Sequence, residues 1–409
     1  MTVNAPTDQA PIFALDRAAS AIASVRRAAV ADRYAADSLA VEWREASQLE
    51  AIANEWRELA ARALEPNVFY EPAFALAAAG VFARGGGAMV VWSGSSPRQL
   101  LGVFPARIEP RRYGLNAPVL VGWTPPDGPL GTPLVEREAA EPVIAAWLAH
   151  ISGNQTLPGV LLLPSITAEG PFATTLGAIL RRAQMPAAAF SRHRRALLAP
   201  SGDPAVYVEQ ALGARKLNEL RRMGRRLAEL GAVLFTSATE PTAISACVDD
   251  FFAIEASGRR GKAGAIAASD DIHRFIKTAL TGLAAEGKVT INRLLLDARA
   301  IAVTIRLRSG DGVWLWKIAY DEGFARYSPG VLLTITVTED IIENATMARA
   351  DSCTAANQPL IDDIWRERLA LCDILFAVRP QAPFARMRQC ETLRRGAIAA
   401  IRSVRGRFD

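Results

Sequence analysis

Tyr320-Asp-Glu-Gly-Phe-Ala-Arg-Tyr-Ser-Pro-Gly-Val-Leu-Leu333 decides the reading of this 409-residue chain. The stretch leaves an apolar strand at 313–321, passes a short polar turn and enters a helix at about 330. Pro329 suits a first helical turn, where its missing N–H would have no partner, and Gly330 lets the backbone approach a ligand closely. A helix N-terminus presents unpaired N–H groups and the positive end of a dipole, which together hold phosphate. Arg326 adds a cation that can form charge-assisted hydrogen bonds. Arg326, Tyr327, Ser328, Gly330 and Val331 therefore form a candidate phosphate-binding loop.

Upstream, the strands 288–296, 300–308 and 313–321 are joined by Asp297-Ala-Arg-Ala300 and Ser309-Gly-Asp-Gly312, both turn sequences of the hairpin type. Before them come a strand at Val233 to Ser237 and helices near 241–256 and 270–286. After them come a helix near 330–346, a short strand around 350, a helix near 360–368 and a strand near 371–378. The first half follows the same order. A strand at Leu39 to Trp43 leads to a helix opened by the capping box Ser47-Gln-Leu-Glu50, then to a second helix starting at Pro72. Strands follow at 88–93, 99–109 and 117–123, then a helix near 141–151, a strand at Val160 to Leu163, a helix near 172–183 and a strand near 188–198. Both halves read β-α-α-β-β-β-α-β-α-β. A helix over about 205–230 joins them, with Leu217, Leu220, Met223, Leu227 and Leu230 on one stripe. Its other side carries Arg215, Lys216, Arg221, Arg222, Arg225 and Arg226. The expected divisions are a leader at 1–38, domains at 39–200 and 201–380, and a basic amphipathic tail at 381–409.

That order is the order of the GNAT acyltransferase fold, and the fold class expected is α/β, two tandem GNAT-like domains, each a mixed sheet flanked by helices. Trp316-Lys-Ile-Ala-Tyr-Asp321, Ala325-Arg-Tyr-Ser-Pro-Gly-Val-Leu332, Phe251-Phe-Ala-Ile-Glu-Ala-Ser-Gly258 and Leu294-Leu-Leu-Asp-Ala-Arg299 together resemble the CelD/BcsL-type acyltransferases, relatives of the FemABX group. Phe69-Tyr-Glu-Pro72 and Pro129-Leu-Gly-Thr-Pro-Leu134 resemble the companion domain of such proteins. The resemblance implies transfer of an acyl group from acetyl-CoA or another acyl-CoA, as cosubstrate, to an amine or hydroxyl of a small-molecule, glycan or lipid precursor in exopolysaccharide or envelope biosynthesis. The chain departs from the family pattern at Asp351-Ser-Cys353 and Asn357 to Trp365. An aminoacyl-tRNA-dependent transferase and an inactive scaffold of a polysaccharide-assembly complex are the alternatives.

Composition narrows the classes. With 50% hydrophobic and 22% charged residues the chain has ample material for packed cores, and charges interrupt every apolar run before membrane-spanning length. The net charge is +5, yet eight arginines fall in 376–409 against only Glu391 and Asp409. The body is thus close to neutral, so no specific nucleic acid is expected, and the amphipathic tail suits a helix docked on the domain, the favoured reading, or lying on an anionic membrane surface. Cys247, Cys353, Cys372 and Cys390 are too widely spaced for a zinc knuckle or a disulfide framework, and His150, His193 and His273 stand alone, so no metal is expected. The first 38 residues lack the compact apolar stretch of a signal peptide, which favours a cytoplasmic protein.

Among single residues, Glu255 late in its helix suits a general base, and Tyr320 suits a general acid for a leaving thiolate. Asp321 at the strand end is a candidate base or acceptor anchor, as well as a plain turn cap. Lys317 should point away from the face of Trp314 and Trp316 by simple alternation and is a candidate acceptor contact. In the first half, Gly122-Trp-Thr-Pro-Pro-Asp-Gly128 occupies the place of the phosphate loop without a matching arginine. This reads as a degenerate domain that walls the acceptor cleft, with Trp123 and Asp127 as candidate substrate contacts.

Overall fold

One sheet of thirteen strands runs through both halves of the chain. The first half contributes β1 (Ala40–Glu45), β2 (Gly86–Trp92), β3 (Leu100–Glu109), β4 (Val119–Gly122), β5 (Leu134–Val135), β6 (Val160–Thr167) and β7 (Ala187–Leu198). The second contributes β8 (Val233–Ala238), β9 (Val289–Leu296), β10 (Arg299–Ser309), β11 (Gly312–Tyr320), β12 (Arg349–Asp351) and β13 (Glu367–Ala377). The computed structural model describes residues 39–405 except 83–84, 95, 113–115, 126–127, 200, 259–269, 345 and 356–357. The leader, the Gly- and Arg-rich loop after Gly258 and Asp127 lie outside the described residues.

The strand order is β1-β2-β3-β4-β6-β13-β7-β12-β11-β10-β9-β8, with β5 beside β3. It reads the same from either edge: four antiparallel-linked strands, a fifth parallel to the fourth, then the last strand of the other half. Only β4 with β6 and β11 with β12 are parallel. The halves have therefore exchanged their final strands. β7 lies between β12 and β13, and β13 lies between β6 and β7, the two exchanged strands pairing from Glu367↔Leu197 to Phe376↔Ala187. Packing follows the exchange. Ala196 and Leu198 of β7 enter the core of the second half, while Cys372, Ile374 and Phe376 of β13 enter that of the first. The doubled element order and mixed sheet match the expected tandem fold.

Helices cover both faces: α1 (Ala53–Arg62), α2 (Pro72–Phe82), α3 (Ala140–Gly153), α4 (Pro171–Arg182), α5 (Pro204–Ala228), α6 (Pro241–Ser257), α7 (Asp270–Ala285), α8 (Pro329–Glu343), α9 (Pro359–Asp362) and α10 (Phe384–Arg405). α5 is the expected long connector. Asp203 caps it through the Val206 N–H (2.9 Å), and Leu217, Leu220 and Leu227 are buried, but Gly213 at φ 75° interrupts it and Leu230 lies exposed beyond its end. α2 and α7 pack against each other, and Phe74, Phe275 and Trp316 meet edge to face across the junction of the halves. Lys288 reaches across it to Glu71 (2.9 Å), which also accepts from Ser309 Oγ (2.6 Å).

Two local readings are corrected. The first helix is capped by Glu45 with Gln48, two residues ahead of the expected Ser47 and Glu50, because it begins as a 3-10 turn directly off β1. The helix placed near 360–368 stops at Asp362, since Glu367 onward is drawn into extended pairing with β7. The start of α10 docks on the first-half sheet, with Met387 and Phe384 packed among Val121, Leu162 and Leu375 and with Arg395 paired to Asp373 (2.7 Å). Leu393 remains 73% exposed.

Candidate active site

β11 and β12 are in register only at Gly312↔Arg349, Val313↔Ala350 and Trp314↔Asp351. Beyond Trp314, β11 continues to Tyr320 with no strand on that side among the described residues, and the peptide groups that would have laddered to β12 face a wedge. A cavity of about 290 Å³ fills it. Its apolar wall is Ile254, Leu315, Trp316, Ile318, Ala319 and Ile361; Glu255, Tyr320, Glu322 and the run Ser352-Cys353-Thr354 supply the polar lining. Glu255 and Tyr320 are thus brought to one cavity from α6 and β11. Gly330 packs under the Tyr320 ring so closely that a Cβ there would lie 3.1 Å from Tyr320 Cδ1.

Lys317 corrects the alternation argument. Ile305 pairs with Lys317 but Arg306 pairs with Leu315, so Trp316 is an extra residue bulged out of β11. The bulge shifts the alternation by one, and the Lys317 ammonium comes to 5.4 Å from the Trp316 ring centroid, on the same side as Trp316. Trp123 is only 6% exposed and belongs to the core between the halves; its carbonyl accepts from Tyr70 Oη (2.6 Å).

After β11, Asp321 caps a 3-10 helix, Glu322–Tyr327, by accepting from the Gly323 N–H (2.9 Å), and its other oxygen meets Arg299 (2.5 Å). Both of its oxygens are therefore engaged away from the cavity. Ser328, at φ 53°, turns the chain into α8. The donors expected at this helix start are largely consumed: Ser328 N–H bonds Ala325, Val331 and Leu332 both bond the Ser328 carbonyl (3.0 and 3.1 Å), and Pro329 has none. Among the described residues only the Gly330 N–H of this turn has no backbone partner. Arg326 lies over the Tyr327 ring at 4.8 Å. Beside this turn α5 packs on the 3-10 helix and α8, and Arg215, Arg222, Arg225 and Arg226 stand exposed on it without a carboxylate partner among the described residues.

Sequence reading missed Glu322 and Ser352 to Thr354. Glu322 sits beside the Asp321 that drew attention, and the 352–354 run follows a three-residue strand with no motif to mark it. Cys353 adopts φ 56°, and burial, then the nearby Asp351, push its thiol well above the ordinary range. No group of three His, Cys, Asp or Glu residues able to hold a metal, and no helix long and apolar enough to cross a membrane, occurs among the described residues.

Residues 214–358 match the family model of an acetyltransferase (GNAT) domain. No curated protein matches the chain in sequence. Among solved structures, the C-terminal domain of a protein described as a lysylphosphatidylglycerol synthetase from Agrobacterium fabrum superposes with a TM-score of 0.51 at 10% identity, covering 80% of this chain and 91% of that one. FemX superposes with a TM-score of 0.50 at 8% identity, covering 79% and 95%. At such identities the likeness is one of fold and spans both halves, while the acetyltransferase (GNAT) domain model itself matches within the second half.

Proposed function

We propose that this chain transfers an acyl group from an acyl-CoA thioester to an amine or hydroxyl of a glycan or lipid precursor of the cell envelope. The observation that carries this reading is the open wedge between β11 and β12, which sets an apolar cavity against unladdered peptide groups, a carboxylate and a phenol. In this reading the acyl chain lies on Ile254, Leu315 and Ile361, and the thioester carbonyl meets an N–H of β11, where charge develops in the tetrahedral transition state. Glu255 accepts the proton of the attacking amine or hydroxyl, the C–S bond breaks, and Tyr320 gives its proton to the departing thiolate. Glu322, on the same lining, is positioned to hold a cationic acceptor. The donor's phosphates would be held by the Gly330 N–H, Arg326 and the basic side of α5, with side-chain charge outweighing backbone amides.

That last point supports a second reading, an acyl group delivered on a nucleic acid such as an aminoacyl-tRNA. Four exposed arginines without carboxylate partners suit a longer polyanion as well as they suit CoA. Calorimetric titration with acetyl-CoA and with a long-chain acyl-CoA separates the two, repeated on Gly330→Glu and Arg326→Ala. Binding by the parent that both variants lose supports the CoA reading, and chain-length preference then sizes the donor. No binding of either thioester by folded protein overturns it, and tRNA binding that falls steeply with salt would put the second reading in its place. No binding of any donor would leave the scaffold reading.

A further inference from the structure

The lining of the wedge at Ser352-Cys353-Thr354 has little backbone to hold it. β12 is three residues long and meets β7 at only two of them, Ala350↔Leu198 and Asp351↔Leu197. Past it, the Ser352 N–H reaches the Ala196 carbonyl at 3.2 Å, and Cys353 then takes a left-handed conformation, φ 56°, that is strained for a non-glycine residue and needs support from its surroundings. The support comes from a side chain. Asp351 Oδ1 accepts from the Cys353 N–H (3.0 Å).

Asp351 is itself held from the other half of the chain. Arg195, on the exchanged strand β7, forks onto it, Nε to Oδ1 at 2.6 Å and Nη2 to Oδ2 at 2.5 Å. The side chains are 2% and 5% exposed, so each charge relies on the other. The third arm of the guanidinium, Nη1, bonds the Pro129 carbonyl (3.0 Å) in the loop that follows β4. A continuous path runs from that first-half loop through Arg195 and Asp351 to the Cys353 turn and the cavity wall.

We propose that Arg195 is a positioning residue: by fixing Asp351 it holds the Cys353 turn in the shape that completes the acyl-donor cavity, so the first half builds part of the site in the second. The inference rests on the acyltransferase reading for its meaning, but its geometry does not depend on which donor binds. A planar fork is required, because a single point charge cannot hold both carboxylate oxygens and leave one correctly turned toward the Cys353 N–H. The thiol reports the turn. In the parent the thiol stands partly exposed on the cavity wall, and its low-dielectric surroundings and Asp351 favour its protonated, less nucleophilic form.

The test is the rate of Cys353 alkylation by iodoacetamide, mapped by peptide mass with Cys390 as internal reference, on the full chain. Arg195→Lys should label Cys353 about tenfold faster with Cys390 unchanged, as expected for loss of the hydrogen bonds that hold one turn. Arg195→Met/Asp351→Leu replaces the pair by apolar packing, which leaves no unpaired buried charge should the lysine variant fail to fold, and it should label equally fast because the N–H still lacks its acceptor. In both, affinity for acetyl-CoA should fall several-fold; if the parent binds no thioester, the donor reading fails while the labelling arm still decides the positioning role. A folded variant of either kind that labels at the parent rate overturns the proposal. Failure of both to fold also overturns it, in favour of a pair that serves stability alone.

Discussion

The two halves contain the same wedge and treat it in opposite ways. In the first half β4 and β6 touch only at Leu120↔Leu161 and Val121↔Leu162 and then part, as β11 and β12 do. There the chain folds back into the gap. Trp123, Leu130 and Thr132 are buried, Asn67 Nδ2 holds the Thr132 carbonyl (2.8 Å), and the Gly131 N–H bonds Ser165 (2.9 Å). A Cβ at Gly131 would lie 2.2 Å from the Pro164 carbonyl oxygen, so the plug sits against β6 with no room to spare. In the second half the corresponding segment is the 3-10 helix Glu322–Tyr327, which leaves the gap open. One topology thus yields a sealed core or a binding cavity according to whether the connection after the fourth strand enters the wedge or skirts it.

The contrast breaks most sharply at Glu255. Glu255→Gln should lower the acyl-transfer rate by about 10²- to 10³-fold while leaving donor affinity unchanged, the loss expected for a general base; steady-state kinetics beside calorimetry check it. Closing the second wedge artificially should come next. Ala319→Phe puts a ring into the cavity and should weaken acyl-CoA binding about a hundredfold without lowering the melting temperature much, since it fills space that is empty. Disturbing the first wedge should do the reverse. Gly131→Ala should cost about 2 kcal/mol by urea unfolding, through the clash with Pro164, and leave donor affinity intact. A loss of binding instead would show that the plug reaches the site, as its contact with Arg195 allows.

The smallest effect concerns Glu65, buried against the start of α4, where Oε1 accepts from Phe172 N–H (2.7 Å) and Thr167 and Arg349 lie close by. Burial raises its carboxyl above the ordinary value against the hydrogen bond that lowers it. A raised folded-state value means its contribution to stability is fully present below the unfolded carboxyl value and is lost as pH rises through the folded one. Glu65→Gln should therefore flatten the decline between acid and neutral pH, read as melting temperature across pH 4 to 8.

Much of this was legible in the residues and some was not. The hairpin β9–β10 follows from Asp297 and Ala298, which take φ 48° and 68° as that turn requires. The doubled element order was visible because apolar periodicity and Gly/Pro punctuation are local. The exchange of β7 and β13 was not: a strand's own pattern states that it is buried, not which half supplies its neighbours. The bulge at Trp316 escaped for a related reason, since an extra residue in a run of apolar side chains leaves no mark in composition. Glu255 and Tyr320 were singled out through the segments around them and line one cavity, whereas Ser352 to Thr354 reach its wall beside Asp351, whose partner Arg195 lies 156 positions away.

The exchanged strands also set a timetable. At synthesis the centre of the sheet cannot close until β13 has emerged, because Phe190 must find Asp373, and by then every strand from β1 to β12 has been made. Until that moment the first half holds an unpaired β7 and a gap beside β6, an open edge that invites mispairing. Contacts of such sequence separation slow folding, and once made they lock both halves into one cooperative melting unit. Neither half is then a module that can be moved, truncated or inherited alone.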